Sequence, residues 1–173
     1  EIKVGVKAIP WDAFAGCTSL TSVIIPDGVT KIYSSAFEGC TSLEKIIIPD
    51  SVKELGSYAF ENCTSLKKAE IGNGVSSIEW HTFYNCSALE SVSIGSGVNC
   101  ITENAFYGCE ALTGVYITDI AKWCEIEFGS QPLYYAKNLY LDNELVTDLI
   151  IPDSVTTIGN YAFDGCTSLT NIT

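Results

Sequence analysis

The stretch AFEGCTSL at residues 36–43 returns in altered copies along the chain. The copies are AFAGCTSL at 13–20, AFENCTSL at 59–66, TFYNCSAL at 82–89, AFYGCEAL at 105–112 and AFDGCTSL at 162–169. Five of their cysteines, from Cys17 to Cys109, stand 23 residues apart, whereas the step from Cys109 to Cys166 is 57 residues, or 23 plus 34. Self-similarity at a fixed period of this length predicts a solenoid of stacked coils with one long repeat.

The apolar residues keep the same phase. One complete set consists of Leu20, Val23, Ile25, Val29, Ile32, Phe37 and Cys40. Val23 and Ile25 alternate with outward positions, as a strand with one buried face does, and IPDG after them is a turn signal. Because no single repeat can bury these side chains alone, stacked coils have to cover them. We therefore expect one domain over residues 1–173, mostly β with a parallel sheet, of about seven coils.

The repeated phrases IPDGVTKIYSSAFEGCTSL, IPDSVKELGSYAFENCTSL and IPDSVTTIGNYAFDGCTSL carry a family resemblance. They resemble the leucine-rich repeat, and more closely its BspA-like, or Treponema-type, form in bacterial surface proteins. The resemblance covers nearly the whole chain. It implies a right-handed curved solenoid outside the cell, a location at the cell surface or in secreted form, and adhesion to host proteins or other cells.

The long repeat, residues 117–150, departs from this pattern. DIAKWCEIEF at 119–128 is typical of a short helical turn, and SQPLYYAK at 130–137 of a loop. LYLDNELVTDL alternates around Asp142, Asn143 and Glu144, which favours a β-hairpin over residues 139–150 with its turn near Asn143.

Composition narrows the function classes. The chain of 173 residues is 47% apolar and 17% charged, with a net charge of −12, and all of its cations are lysines. So acidic a chain repels phosphate backbones, which argues against a nucleic-acid partner. No apolar run is long enough for direct membrane insertion. The sequence does not begin with methionine, and we expect a fragment of a longer protein whose signal and anchor lie elsewhere.

The repeated cysteines could be metal ligands, disulfide partners, nucleophiles or packing residues. A zinc site needs paired ligands with histidines nearby, and in-register cysteines on parallel coils point the same way, which opposes a disulfide. A column of buried, reduced thiols is therefore predicted. It comprises Cys17, Cys40, Cys63, Cys86, Cys109 and Cys166.

The other candidate site residues are the two remaining cysteines, the histidine and a group of acids. Cys100 should face solvent and be the first thiol to react, or pair with Cys124, which aligns approximately with the inward position of Ile101. His81 is expected on a solvated turn, where replacement by alanine changes stability by less than about 0.5 kcal/mol. The acids Glu103, Glu110, Asp119, Glu125 and Glu127 crowd adjacent coils, but they lack a calcium-loop pattern and are expected on a solvated face. No cofactor and no metal site is predicted.

The outward strand positions are the candidate site. They vary between repeats while the inward positions do not, and solenoids bind partners with such extended surfaces. The predicted partner-binding column consists of Ile24, Ile47, Glu70, Ser93, Tyr116 and Ile150. The alternative is that isoleucine and tyrosine merely suit strands.

The leading functional hypothesis is an extracellular binding or adhesion module for a protein or glycan ligand. The alternatives are a structural spacer in a cell-surface protein and an accessory domain of a larger enzyme. Catalysis by this chain is not expected, because it has one histidine, no arginine, and no nucleophile or phosphate-loop motif. Strand-phase residues near both ends, such as Ile172, predict weak end-to-end self-association through open edges.

Overall fold

Each repeat holds two apolar segments separated by a turn, and the central coils accordingly form two short strands each. The structure, a computed structural model, describes residues 2–173; it is a parallel β-solenoid of about seven turns with little helix. Residue 1 of the expected domain lies outside this description. The strands are β1 Ala8–Ile9, β2 Lys31–Ile32, β3 Lys45–Ile48, β4 Glu54–Leu55, β5 Lys68–Ile71, β6 Ser77–Ile78, β7 Ser91–Ile94, β8 Cys100–Ile101, β9 Gly114–Ile117, β10 Glu127–Phe128, β11 Leu139–Leu141, β12 Glu144–Leu145, β13 Asp148–Leu149 and β14 Asn171–Ile172. The helices are α1 Ile120–Cys124 and α2 Pro132–Ala136.

The first strands of the central coils form the main sheet. This sheet has six strands in the order β12-β11-β9-β7-β5-β3, and all neighbours are parallel except β11 and β12. The register follows the repeat, since Ile46 lies opposite Ala69, Ala69 opposite Val92, and Val92 opposite Val115. All four are buried. The 23-residue phase therefore places equivalent side chains side by side, with alternate residues inward.

The second strands of six coils form two shorter parallel ladders, β1-β2-β4 and β6-β8-β10. Their inward residues include Ile32, Leu55, Ile78 and Ile101, which are buried. The two ladders and the main sheet thus enclose one continuous core.

The phenylalanines of the repeated string form a stack through that core. Phe14, Phe37, Phe60, Phe83 and Phe106 have neighbouring ring centroids 5.1 to 5.5 Å apart and interplanar angles of 2° to 11°. Their backbone also joins the coils, since the amide of each phenylalanine from Phe14 to Phe83 donates a hydrogen bond to a backbone carbonyl of the next coil. The string is thus a packing unit that repeats once per coil.

The long repeat contains a full but atypical coil. Asp119 caps α1, because its carboxylate accepts a hydrogen bond from the Lys122 amide at 3.0 Å. Pro132 begins α2, where its missing N–H costs nothing. The prediction of a helical turn at 119–128 is correct in part, but the prediction of a loop at 130–137 is wrong, because five of those residues form α2.

A hairpin lies in the expected place. β11 and β12 are antiparallel, and Asp142 and Asn143 between them have φ of 51° and 69°. Two left-handed residues in a two-residue loop are the mark of a type I′ turn, which asparagine and aspartate tolerate. The hairpin is shorter than expected, because β13 pairs in parallel with β14 rather than with β11.

Candidate functional site

The outward column of the main sheet is continuous over five strands. Ile47, Glu70, Ser93 and Tyr116 lie opposite one another in register, and Tyr140 follows Tyr116. Five side chains of four different types, with two tyrosines side by side, therefore share one surface. Below them, the inward residues of the same strands are all apolar.

The two ends of the predicted column, Ile24 and Ile150, lie in different surroundings. Ile24 precedes Ile47 by one repeat and is 66% exposed, and the neighbouring bridge between Ser22 and Lys45 brings its coil against β3. Ile150 is 70% exposed, but it follows β13, outside the main sheet. Its expected place beside Tyr116 is wrong, because Tyr140 occupies it. The hairpin strand β12 takes the sheet edge that a further parallel strand would have used.

Charges cluster at the centre of this face. The Glu70 carboxylate lies 2.8 Å from Lys45 Nζ and 3.1 Å from Lys68 Nζ. The hydrogen bond from Lys45, assisted by Lys68, lowers the pKa of Glu70, although partial burial opposes the shift. The carboxylate thus stays ionised and is held between two ammonium groups on adjacent strands.

Two tyrosines stack on the neighbouring strands. The rings of Tyr116 and Tyr140 have centroids 4.5 Å apart and are inclined by only 8°. They lie over Gly114, where an added Cβ would approach a ring atom of Tyr116 to 2.9 Å and one of Tyr140 to 3.1 Å. Glycine at this position therefore leaves the room that both rings need against the sheet.

A groove of about 560 Å³ runs across this face and along the carboxyl ends of its strands. Side chains of the strand-end loops order its rim: Asp50 Oδ1 accepts from the Asn73 amide at 2.6 Å, and Asn73 Oδ1 accepts from the Ser96 amide at 3.0 Å. The hairpin turn, Asp142 and Asn143, closes one end of the groove. Side chains from separate coils thus converge on one concave surface.

The ladder cysteines are free thiols in the described residues. Cys40, Cys63, Cys86 and Cys109 are buried as predicted, whereas Cys17 is exposed and Cys166 is partly exposed. The burial prediction is wrong for those two, because they lie in outer coils of the described part.

Each buried ladder thiol also makes a hydrogen bond that the sequence did not reveal. Its Sγ donates at 3.2 Å to the carbonyl of the phenylalanine 26 residues earlier, as Cys86 does to Phe60. Burial raises the pKa of Cys63 and Cys109 to about 12, and that of Cys40 to about 11. A raised pKa disfavours the reactive thiolate, so these residues are placed for packing rather than for nucleophilic chemistry.

Cys100 is less exposed than predicted, whereas Cys124 is inward as predicted but at a different alignment. Cys100 is half-buried rather than fully solvent-facing, and burial, aided by Glu127 and Glu79, raises its pKa. Cys124 is buried, but Phe128 is the residue that lies opposite Ile101. The approximate alignment of Cys124 with Ile101 is therefore wrong, and both cysteines are free thiols in the described structure.

His81 lies in a turn but is not solvated. It has φ of 59°, its side chain is only 16% exposed, and its ring stacks on Tyr84 at 4.1 Å. Burial lowers its pKa, and Nδ1 has no hydrogen-bond partner in the described residues, with Glu61 3.9 Å away. The expectation of a solvated side chain is wrong, because Trp80 also covers the ring.

Two kinds of feature are absent from residues 2–173. No group of three or more histidine, cysteine or acidic residues within that range could hold a metal ion. No helix in the same range is sufficiently long and apolar to cross a membrane.

The sequence matches one family of known proteins. A model of the BspA type leucine-rich repeat region matches residues 2–131 and 134–173 in six copies. The chain belongs to the BspA-type leucine-rich repeat family. The stacked phenylalanines and buried thiols described above are thus features of a BspA-type solenoid, and the atypical long repeat lies largely within the matched region.

Solved structures of bacterial proteins resemble this BspA-type chain. A leucine-rich repeat protein from Bacteroides ovatus is 28% identical, with a TM-score of 0.65 over 99% of this chain and 41% of that one. The leucine-rich repeat protein of T. pallidum is 27% identical, with a TM-score of 0.62 over 96% of this chain and 62% of that one. A leucine rich cell surface protein from Faecalibacterium prausnitzii is 30% identical, with a TM-score of 0.53 over 86% of this chain and 30% of that one.

The chain therefore spans between 30% and 62% of the length of these relatives. A comparison with curated proteins finds no match.

Proposed function

We propose that this domain is an extracellular binding module that recognises a protein or glycan through the exposed face of its main sheet. The observation that carries the proposal is the contrast between the two faces of the same strands. The inward residues repeat from coil to coil, whereas the outward residues change from Ile47 to Glu70, Ser93, Tyr116 and Tyr140. A uniform scaffold with a varied surface is how solenoids present binding sites.

The extracellular location is part of the same proposal. One structural relative is named a leucine rich cell surface protein. The net charge of −12 suits a soluble surface that avoids nucleic acid. The sheet face and its groove offer an aromatic pair, an ion-paired carboxylate and amide side chains, a set suited to binding and orienting a ligand.

The test is a binding screen of the purified domain against immobilised extracellular-matrix proteins and glycans. The variants Ile47→Asp and Tyr140→Asp change the sheet face, and Tyr107→Asp changes a turn outside it. Ile47 and Tyr107 are matched in exposure, at 49% and 53%. We expect the sheet variants to lose at least tenfold in affinity and the turn variant to bind as the unaltered domain does.

Two results would overturn the proposal. Equal losses from Ile47→Asp and Tyr107→Asp would mean that the main sheet is not the binding face. Failure of the unaltered domain to bind any member of either set would favour the spacer or accessory-domain alternative. Weak end-to-end association stays a prediction, to be tested by light scattering over a concentration series.

A further inference from the structure

The central part of the sheet face contains a slot that is one strand wide. Its floor is β7, whose outward residues Ser91 and Ser93 are small. Long side chains stand on both flanking strands, Glu70 on β5 and Tyr116 on β9. Since adjacent strands lie about 4.8 Å apart, the two walls rise from backbones separated by about 10 Å. Side chains of ordinary thickness leave room between them for one flat ring.

The tyrosine wall presents a free aromatic face. Tyr116 and Tyr140 are nearly parallel, and their centroid separation of 4.5 Å is close to the spacing of their strands. Tyr140 on β11 therefore covers one face of the Tyr116 ring, and the other face is on the side of β7, the strand that pairs with β9 on its opposite edge. The face of an aromatic ring carries partial negative charge, which attracts the partially positive C–H groups of a saturated ring.

The opposite wall offers both kinds of hydrogen-bonding group. The Glu70 carboxylate accepts, and the ammonium groups of Lys45 and Lys68 donate. The ion pairs hold these groups in place before a ligand arrives, which reduces the entropy lost on binding. A hydroxyl group can donate to the carboxylate and accept from an ammonium group, so a ring with several hydroxyls matches this wall.

We propose that this slot binds one neutral pyranose ring of a glycan, stacked on Tyr116 and hydrogen-bonded to the Glu70 carboxylate and the neighbouring lysines. The inference rests on the proposed function of the same face and specifies its ligand class. Further sugar units would extend toward Thr118 and the hairpin turn, Asp142 and Asn143, which line the same groove.

The charges favour a neutral sugar over the other candidates. An arginine side chain of a protein could also stack on Tyr116, but Glu70 already faces two ammonium groups, which would repel it. An acidic sugar would be attracted by the lysines but repelled by the carboxylates of Asp27, Asp50 and Asp142 along the groove. A neutral polyhydroxylated ring avoids both penalties.

The experiment uses the whole domain and an array of neutral oligosaccharides built from glucose, galactose, mannose and N-acetylhexosamines. The strongest neutral ligand is then titrated by calorimetry. Ser93→Trp fills the slot without removing a wall, and Tyr116→Ala removes the aromatic face. The control is Tyr107→Ala, since Tyr107 is also exposed and stacks on another tyrosine, Tyr84, with centroids 5.2 Å apart.

We expect both slot variants to weaken binding at least tenfold and the control to leave it unchanged, with all three retaining the thermal midpoint of the unaltered domain within a few degrees. Perturbation of the Tyr116 ring resonances by the bound sugar is a second readout, which does not depend on any variant.

Three results would overturn the inference. The first is that no neutral oligosaccharide on the array binds the domain. The second is that a neutral oligosaccharide still binds with unchanged affinity after both Ser93→Trp and Tyr116→Ala. The third is that the domain binds an arginine-rich peptide and that Ser93→Trp abolishes this binding. A protein partner that depends on Ile47 but is indifferent to Ser93→Trp would leave the proposed function standing while the sugar site fails. The two ideas therefore fail separately.

Discussion

The regular coils and the long repeat both bury apolar side chains between stacked coils, but they use different residues to do so. Between residues 20 and 117, each buried side chain stacks on the equivalent residue of the next coil, as the row from Phe37 to Phe106 does. In the long repeat, residues from outside the repeated pattern take these places: Phe128 lies opposite Ile101, and Leu139 opposite Val115. The continuous core shows that burial and backbone pairing are essential to the coil, whereas identity of residues is not.

The comparison also shows what limits the extent of the main sheet. In the regular coils each strand leaves an edge on which the next strand pairs. In the long repeat the hairpin strand β12 pairs with that edge of β11, so the main sheet stops and β13 pairs elsewhere. A local turn at Asp142 and Asn143 thus sets the extent of a surface that spans several coils.

The largest expected effect lies in the regular stack. Phe60→Ala should lower the free energy of unfolding by about 3 to 5 kcal/mol, because the ring is fully buried between Phe37 and Phe83. Phe163, which is only partly buried, is the matched position outside the regular stack, and its replacement by alanine should cost less. Denaturant unfolding measures both. Equal losses would contradict the distinction between the two regions.

Thiol reactivity gives the next contrast. In the native protein, exposed Cys17 should react first, ahead of half-buried Cys100. Burial raises the pKa of Cys63 from 9.0 to about 12, which alone reduces its thiolate fraction about a thousandfold. Labelling at neutral pH, read by mass spectrometry, checks the order. Rapid labelling of Cys63 before unfolding would show that the coil interior opens readily.

Trp123 joins the long repeat to the coil that follows it. Its indole Nε1 donates to the Ala162 carbonyl at 2.8 Å, and the side chain is buried. Trp123→Phe should cost about 1 to 3 kcal/mol, because that carbonyl loses its donor. Hydrogen exchange should accelerate after residue 155 but not between residues 40 and 110. Trp80→Phe, at a partly exposed indole, is the control and should have little effect.

The hairpin turn should respond to side-chain shape. Asn143 has φ of 69°, so Asn143→Val should cost about 1 to 2 kcal/mol, whereas Asn143→Gly should be tolerated. The exchange rate of the Val146 amide, which donates to the Leu139 carbonyl at 2.9 Å, reports the hairpin directly. Similar rates in both variants would mean that the turn does not hold β12 on the sheet.

His81 provides the smallest expected effect. His81→Ala should cost about 1 kcal/mol, because alanine disfavours the left-handed conformation and the contacts with Trp80 and Tyr84 are lost. This expected loss of stability is larger than the change of less than about 0.5 kcal/mol that a solvated turn residue predicts. His81→Asn keeps a residue that tolerates positive φ and should cost less. Thermal unfolding of the two variants would separate backbone strain from ring packing.

The sequence by itself determined the coil, because a strict period carries both the inward phase and the strand register. The 23-residue spacing was sufficient to place Ile25, Phe37 and Cys40 inside and to indicate which outward residues share a column, whereas Val23 is only partly buried. It also located the hairpin, because the preference of Asp142 and Asn143 for a tight turn is local.

Only the tertiary structure decided which features meet across coils. Local preference did not show that α2 forms at 132–136, that Phe128 rather than Cys124 lies opposite Ile101, or that Tyr140 displaces Ile150 from the column. Nor did it show that Tyr116 lies over Gly114, or that Trp80 and Tyr84 enclose His81. The physical reason is that these contacts depend on where an irregular segment re-enters the stack, and a periodic pattern carries no information where the period breaks.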